Sequence, residues 1–93
     1  MFAQQFAALG YQQITLSGAS GLTVPAGANL AIIAADVAAV RWRDDGVAPT
    51  ASVGMFLSNT GDALEYSGPL AKIQFIPVTG SPVLNVSYYR IAG

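Results

Sequence analysis

From Tyr11 onward the chain alternates apolar and polar side chains with a period of two, and it interrupts that alternation with clusters of glycine, proline, asparagine, aspartate and serine. The last two segments show it best. Ile73 and Phe75 alternate with Lys72 and Gln74; Thr79-Gly80-Ser81-Pro82 reverses the chain; Leu84, Val86 and Tyr88 then alternate with Asn85, Ser87 and Tyr89. Successive side chains of a strand point to opposite faces of a sheet, so each run presents one oily and one wet face. Strands spaced about 8–12 residues apart with turn signals between them predict an all-β chain. The expectation is a small antiparallel β-sandwich, jelly-roll-like in its arrangement.

Ile14 and Leu16 alternate with Gln13, Thr15 and Ser17, and G-A-S-G at 18–21 ends that strand. Leu22-Thr23-Val24 reads as a short strand closed by Pro25-Ala26-Gly27, a sequence suited to a tight turn. Asn29 to Ala35 is nearly all apolar, which fits a strand covered on both faces. Three strands and two reversals follow between Val37 and Gly68. The first is Val37–Asp44, with Val40 and Trp42 inward and Arg41 and Arg43 outward. Asp44-Asp45-Gly46 turns the chain, Met55 and Leu57 alternate with Phe56, Asn59-Thr60-Gly61-Asp62 turns it again, and Leu64 and Tyr66 return. Pro77 closes a strand or marks an edge, because proline cannot donate to a ladder.

The first ten residues read differently. Phe2, Phe6 and Leu9 fall at i, i+4 and i+7 with Gly10 behind them, the spacing of one apolar stripe on a short helix. A helix of about two turns is unstable alone in water. Residues 1–10 are therefore expected as a short helix or arm, ordered against a neighbouring subunit or plugging one end of its own sandwich, with residues 11–93 forming one β-sandwich domain.

Ninety-three residues with 53% hydrophobic and 10% charged side chains pose a covering problem. Ordinary soluble domains carry about 25% charged residues, and a chain this short buries only about 60–65% of the surface it exposes when unfolded. The excess apolar area must face something, most simply other copies; the alternative is a monomer surfaced by Thr, Ser, Gln, Asn and Gly.

The same composition excludes chemistry. There is no histidine and no cysteine, so the usual general base, metal ligand and thiol nucleophile are missing. Asp44, Asp45, Asp62 and Glu65 lie in or beside turns, where carboxylates ordinarily serve the turn. No catalytic, cofactor-binding or metal-binding residue is expected. Arg41, Arg43, Lys72 and Arg90 are too few to neutralise a run of phosphates, and no apolar run reaches the roughly 18 residues of a membrane helix. Neither nucleic acid nor membrane is an expected partner, and the start lacks the basic region of a signal peptide.

The candidates left are contact residues. Arg41 and Arg43 either pair with Asp44, Asp45 or Glu65 across the sheet or anchor an interface, a role that Trp, Tyr and Arg often fill. Tyr89 is expected outward beside the inward Tyr88. Phe56 is either buried in a second sheet or exposed to a partner. Phe2, Phe6 and Leu9 complete the set.

The chain resembles small structural proteins encoded by tailed bacteriophages and prophages. The likeness runs through Y-Q-Q-I-T-L-S-G, L-T-V-P-A-G, A-V-R-W-R-D-D-G-V-A-P-T-A-S-V-G-M, L-A-K-I-Q-F-I-P and L-N-V-S-Y-Y, over most of residues 11–90. It implies a virion component without enzymatic activity, assembled in the bacterial host cytoplasm: a capsid decoration (cement) protein. It further implies a homo-oligomer, with a trimer favoured, held against the major capsid protein or other virion proteins. The alternative is a head–tail or tail-fibre accessory module that binds a host receptor or carbohydrate through Trp42, Tyr89 and the acidic turns.

Overall fold

A computed structural model describes residues 5–92. Its eight strands are β1 (Gln5–Thr15), β2 (Ser20–Gly21), β3 (Leu30–Asp36), β4 (Val40–Arg43), β5 (Met55–Leu57), β6 (Ala63–Tyr66), β7 (Gln74–Pro77) and β8 (Val83–Ala92). They form two four-stranded antiparallel sheets, ordered β1-β8-β3-β6 and β2-β7-β4-β5. The ladders β1·β8, β2·β7, β3·β6 and β4·β5 pair the chain's first half with its second in reverse order. That is a long antiparallel ribbon rolled into two layers, the strand order of a jelly roll. The chain is the all-β sandwich that its alternation predicts.

The inward residues of the two sheets make the core. Ala31, Ile33, Leu84, Val86 and Tyr88 come from one layer, Val40, Leu57 and Phe75 from the other, with Leu16, Leu70 and Ile73 closing the ends. The side chains expected inward at 73, 75, 84, 86 and 88 are all buried, and no polar or charged residue among the described ones is. The Tyr88 hydroxyl donates to Gln12 Oε1 at 2.6 Å, so the ring stays inside without leaving its polar end unpaired.

Four departures from the sequence reading have local causes. Residues 5–10 are not helical: they open β1, which runs through the expected boundary at residue 10 without a break. A β-bulge between Ala8 and Gly10 inserts Leu9 into the ladder with β8 and shifts the side-chain phase there. Second, residues 22–24 lie outside any strand, because β2 ends at Gly21; Leu22 and Val24 pack on the core as a crossing segment. Third, β3 is sealed on one face only, since Ile32 and Ala34 alternate with fully buried neighbours and stay half-buried. Fourth, Val37 to Ala39 form a crossover, so the fourth strand begins at Val40. Val37 takes φ 75° to make it.

The sheet that contains β1 is uneven. β3 meets β8 only as far as Leu30 opposite Tyr89, whereas β1 continues along β8 through Ala7–Arg90, Phe6–Ile91 and Gln5–Ala92. Three residue pairs therefore overhang as a two-stranded ribbon. Asn29 props its root: its carboxamide accepts from Ile91 N at 2.7 Å and donates to Ile91 O at 3.3 Å, as a backbone amide would. Arg90 Nη1 donates to Gly27 O at 3.1 Å from the same end.

Candidate interface

Arg41 and Arg43 alternate out of β4, as the strand phase requires, yet both are engaged within the chain. Arg41 Nε donates to Ala51 O at 3.1 Å and its Nη1 to Gly54 O at 3.0 Å. The guanidinium carbon lies 5.4 Å from the centroid of the Phe56 ring, which sits opposite it in register on β5. Arg41 thus ties down the loop between the two strands. That loop also closes on itself, with Thr50 and Val53 exchanging backbone hydrogen bonds at 2.8 and 3.2 Å.

Arg43 forks onto Asp45, with Nε donating to Oδ1 at 3.0 Å and Nη2 to Oδ2. Hydrogen bonding from Arg43 holds the Asp45 carboxyl below the usual carboxylate range. The expected carboxylate pairing is met by Arg43 alone, and with Asp45 two residues on in the turn, not across the sheet; Arg41 meets backbone carbonyls instead.

What faces solvent here is apolar. Phe56 is 56% exposed and Met55 59%, and Val47 and Val53 of the loop stand out beside them. Met55 and Val53 line a cleft of about 400 Å³ together with Trp42, Arg43 and Asp44; Phe56, next along β5, points to the other face of the strand, opposite Arg41. Trp42 packs its ring edgewise on Tyr66, with centroids 5.8 Å apart. The Tyr66 hydroxyl donates to Asp44 Oδ2 at 2.6 Å. Burial first, and then the carboxylate beside it, push the Tyr66 phenol well above its ordinary value.

A second cleft, of about 340 Å³, runs along the opposite side between β1 and the crossing segment, lined by Gly10, Tyr11, Gln12, Thr23 and Pro25. Thr23 N donates to Gln12 Oε1 at 3.2 Å across it. On the outer face of β1, Tyr11 and Gln13 both donate to Asn85 Oδ1, Gln13 at 2.9 Å. Tyr11 is 64% exposed.

The expected contact residues therefore divide. Phe56 is exposed with Arg41 over its ring, and Arg43 lies two residues further along β4. Leu9 is the bulge residue of β1 and is exposed. Phe6 lies opposite Ile91 on the overhanging ribbon. Tyr89 is half-buried on the outer face of the other sheet, its hydroxyl accepting from Ser87 at 3.1 Å, so it does not join Trp42. Phe2 lies outside the described residues. Sequence reading missed Val47, Val53 and Met55. Two valines in a loop bounded by Gly46 and Gly54 were the available signal, while the alternation around Met55 pointed it inward.

Among the described residues no three His, Cys, Asp or Glu side chains converge as a metal site would require. The chain matches no protein-family model, no curated protein and no solved structure.

Proposed function

We propose that the protein is a non-enzymatic structural subunit of a tailed-phage virion, a capsid decoration protein that acts by lying against its own copies and the capsid lattice. The observation that carries the reading is the exposure of Phe56, Met55, Val53 and Val47 on β5 and the loop before it. Large apolar side chains left exposed on so sparsely charged a domain are what a partner covers. Arg41, opposite Phe56, is already bonded to the carbonyls of Ala51 and Gly54, which holds the loop in place before contact and lowers the ordering entropy of binding. The virion as the partner comes from the sequence resemblance, since a jelly roll by itself serves many functions.

The test is co-sedimentation with heads of the encoding phage or prophage, with and without Phe56→Ser. Wild-type protein is expected to pellet with the heads, and loss of a central aromatic contact should weaken binding roughly 30-fold while the far-ultraviolet spectrum stays unchanged. Heads that bind neither form would overturn the reading.

One observation favours a second reading, a carbohydrate- or receptor-binding accessory module: Trp42 lines an open cleft whose rim carries Arg43, Asp44 and Asp45. Sugar binding to this cleft would quench Trp42 fluorescence, and a glycan array with no ligand would remove it.

A further inference from the structure

A sandwich of two open sheets has four edge strands, and an edge is a row of unpaired N–H and C=O groups that invites another strand. Three edges here are short: β2 has two residues, β5 three and β6 four. β6 also carries Glu65, a charged side chain of the kind that discourages edge pairing. The fourth edge, β1, is eleven residues long, from Gln5 to Thr15. It contains no charged residue and no proline, and the first charge in the chain comes only at Asp36.

None of the described residues makes a backbone hydrogen bond with the outer side of β1. The bulge at Leu9 is the only irregularity along it. Beyond that bulge, residues 10–15 pair regularly with β8.

We propose that β1 is the self-association edge: two copies pair through antiparallel β1 strands about a two-fold axis, joining their β1-β8-β3-β6 sheets into one continuous sheet. This rests on the reading of the protein as a self-associating subunit and names the surface by which it does so. The occupant is a second copy because the edge suits itself. An uncharged strand can lie antiparallel to its own image with no like-charge pair across the seam, and a two-fold contact uses one patch twice.

Register follows from side-chain phase. Opposed residues of an antiparallel pair share a face, so the axis must pass through a residue and not between two. Tyr11, Gln13 and Thr15 share the outer face. Centring the axis on Gln13 sets Tyr11 opposite Thr15 of the other copy, an aromatic–β-branched pair of the stabilising kind, and Gln12 opposite Ile14. It also leaves the bulged Leu9 outside the paired segment.

Four samples test this by light scattering and oxidative cross-linking, with circular dichroism as the check on folding. Wild-type protein should have the mass of two chains. Gln13→Lys, which places two ammonium groups face to face on the axis, should halve that mass without altering the fold. Gln13→Cys, the only cysteine in its chain, should oxidise to a covalent dimer, whereas Glu65→Cys on the β6 edge should not. A one-chain mass for wild type at high concentration, a three-chain mass unchanged by Gln13→Lys, or a Gln13→Cys that fails to cross-link would each overturn the proposal. Head binding separates it from the functional reading: a β1-paired dimer that binds no heads removes the virion role alone, and a monomer that binds them removes the pairing alone.

Discussion

The hydroxyl of Tyr66 on β6 donates to Asp44, just beyond β4, at 2.6 Å, joining the two sheets where Trp42 packs on the same ring. Tyr66 is 8% exposed, so its ring belongs to the core while its polar end is satisfied from the turn. Replacing it with phenylalanine keeps the packing and removes the donor. Tyr66→Phe should cost about 1–2 kcal/mol in urea unfolding, and Tyr66→Ala about 3–5 kcal/mol. An unchanged midpoint in Tyr66→Phe would mean that the bond contributes nothing net. Gly68 confines the ring from behind: a Cβ there would lie 2.5 Å from the hydroxyl and 2.7 Å from the ring. Gly68→Ala should therefore destabilise by about 1–3 kcal/mol as an overpacking change.

The same phenol contributes to the alkaline limit. Its folded pKa is raised above the unfolded value of about 10, so the folded state holds this proton more tightly. The stability linked to it is complete below pH about 10 and is lost as pH climbs through the folded value. Asp45 works in the opposite sense. Its pKa is lowered, so the linked stability is present above the unfolded value near pH ~4 and is lost on acidification through the folded one. Thermal melts across pH should show both flanks, and Tyr66→Phe should reduce only the alkaline one, the buried Tyr88 phenol, whose pKa is also raised, keeping the remainder.

Arg41→Ala should loosen the loop at 47–54 more than the core. Two hydrogen bonds to loop carbonyls and the stacking on Phe56 disappear together, at about 1–2 kcal/mol for a partly exposed cation. Faster proteolysis within the loop, with a nearly unchanged rate elsewhere, is the expected readout. Arg41→Lys should not rescue it, since a single ammonium cannot reproduce the fork.

Val37 lies at φ 75°, where a β-branched side chain is strained. It is 67% exposed and buries little in return. Val37→Asn should raise stability by about 1 kcal/mol, because asparagine tolerates the left-handed region. A lower melting temperature in that variant would show that the crossover depends on the valine for another reason.

How much of this was legible in the sequence depended on whether the period of two survived locally. Around Phe75 and Val86 it did, and both the strands and their buried faces could be read directly. At Leu9 the bulge broke it. One inserted residue shifts the phase, so Phe6 and Leu9 present a spacing of three that imitates a helical stripe. The outward direction of Arg41 and Arg43 was also legible, but their engagement was not, because Ala51 and Gly54 offer only backbone carbonyls and no sequence pattern marks them. Asn29 hid its role similarly: its side chain completes a ladder sixty-two positions away, at Ile91. Strand order depended on such distant pairings and could not be read from local alternation.

The two candidate surfaces sit at opposite flanks of the sandwich. Gln12 of β1 touches Thr23 on one side, whereas Trp42 beside β5 meets Tyr66 of β6 on the other. Two copies seamed along β1 would thus carry their apolar patches at the far ends, pointing away from the seam. Such a pair is bivalent by construction. On a repeating lattice a second weak foothold, tethered by the first, raises the hold by orders of magnitude without any new contact, while a lone copy adrift in solution would let go.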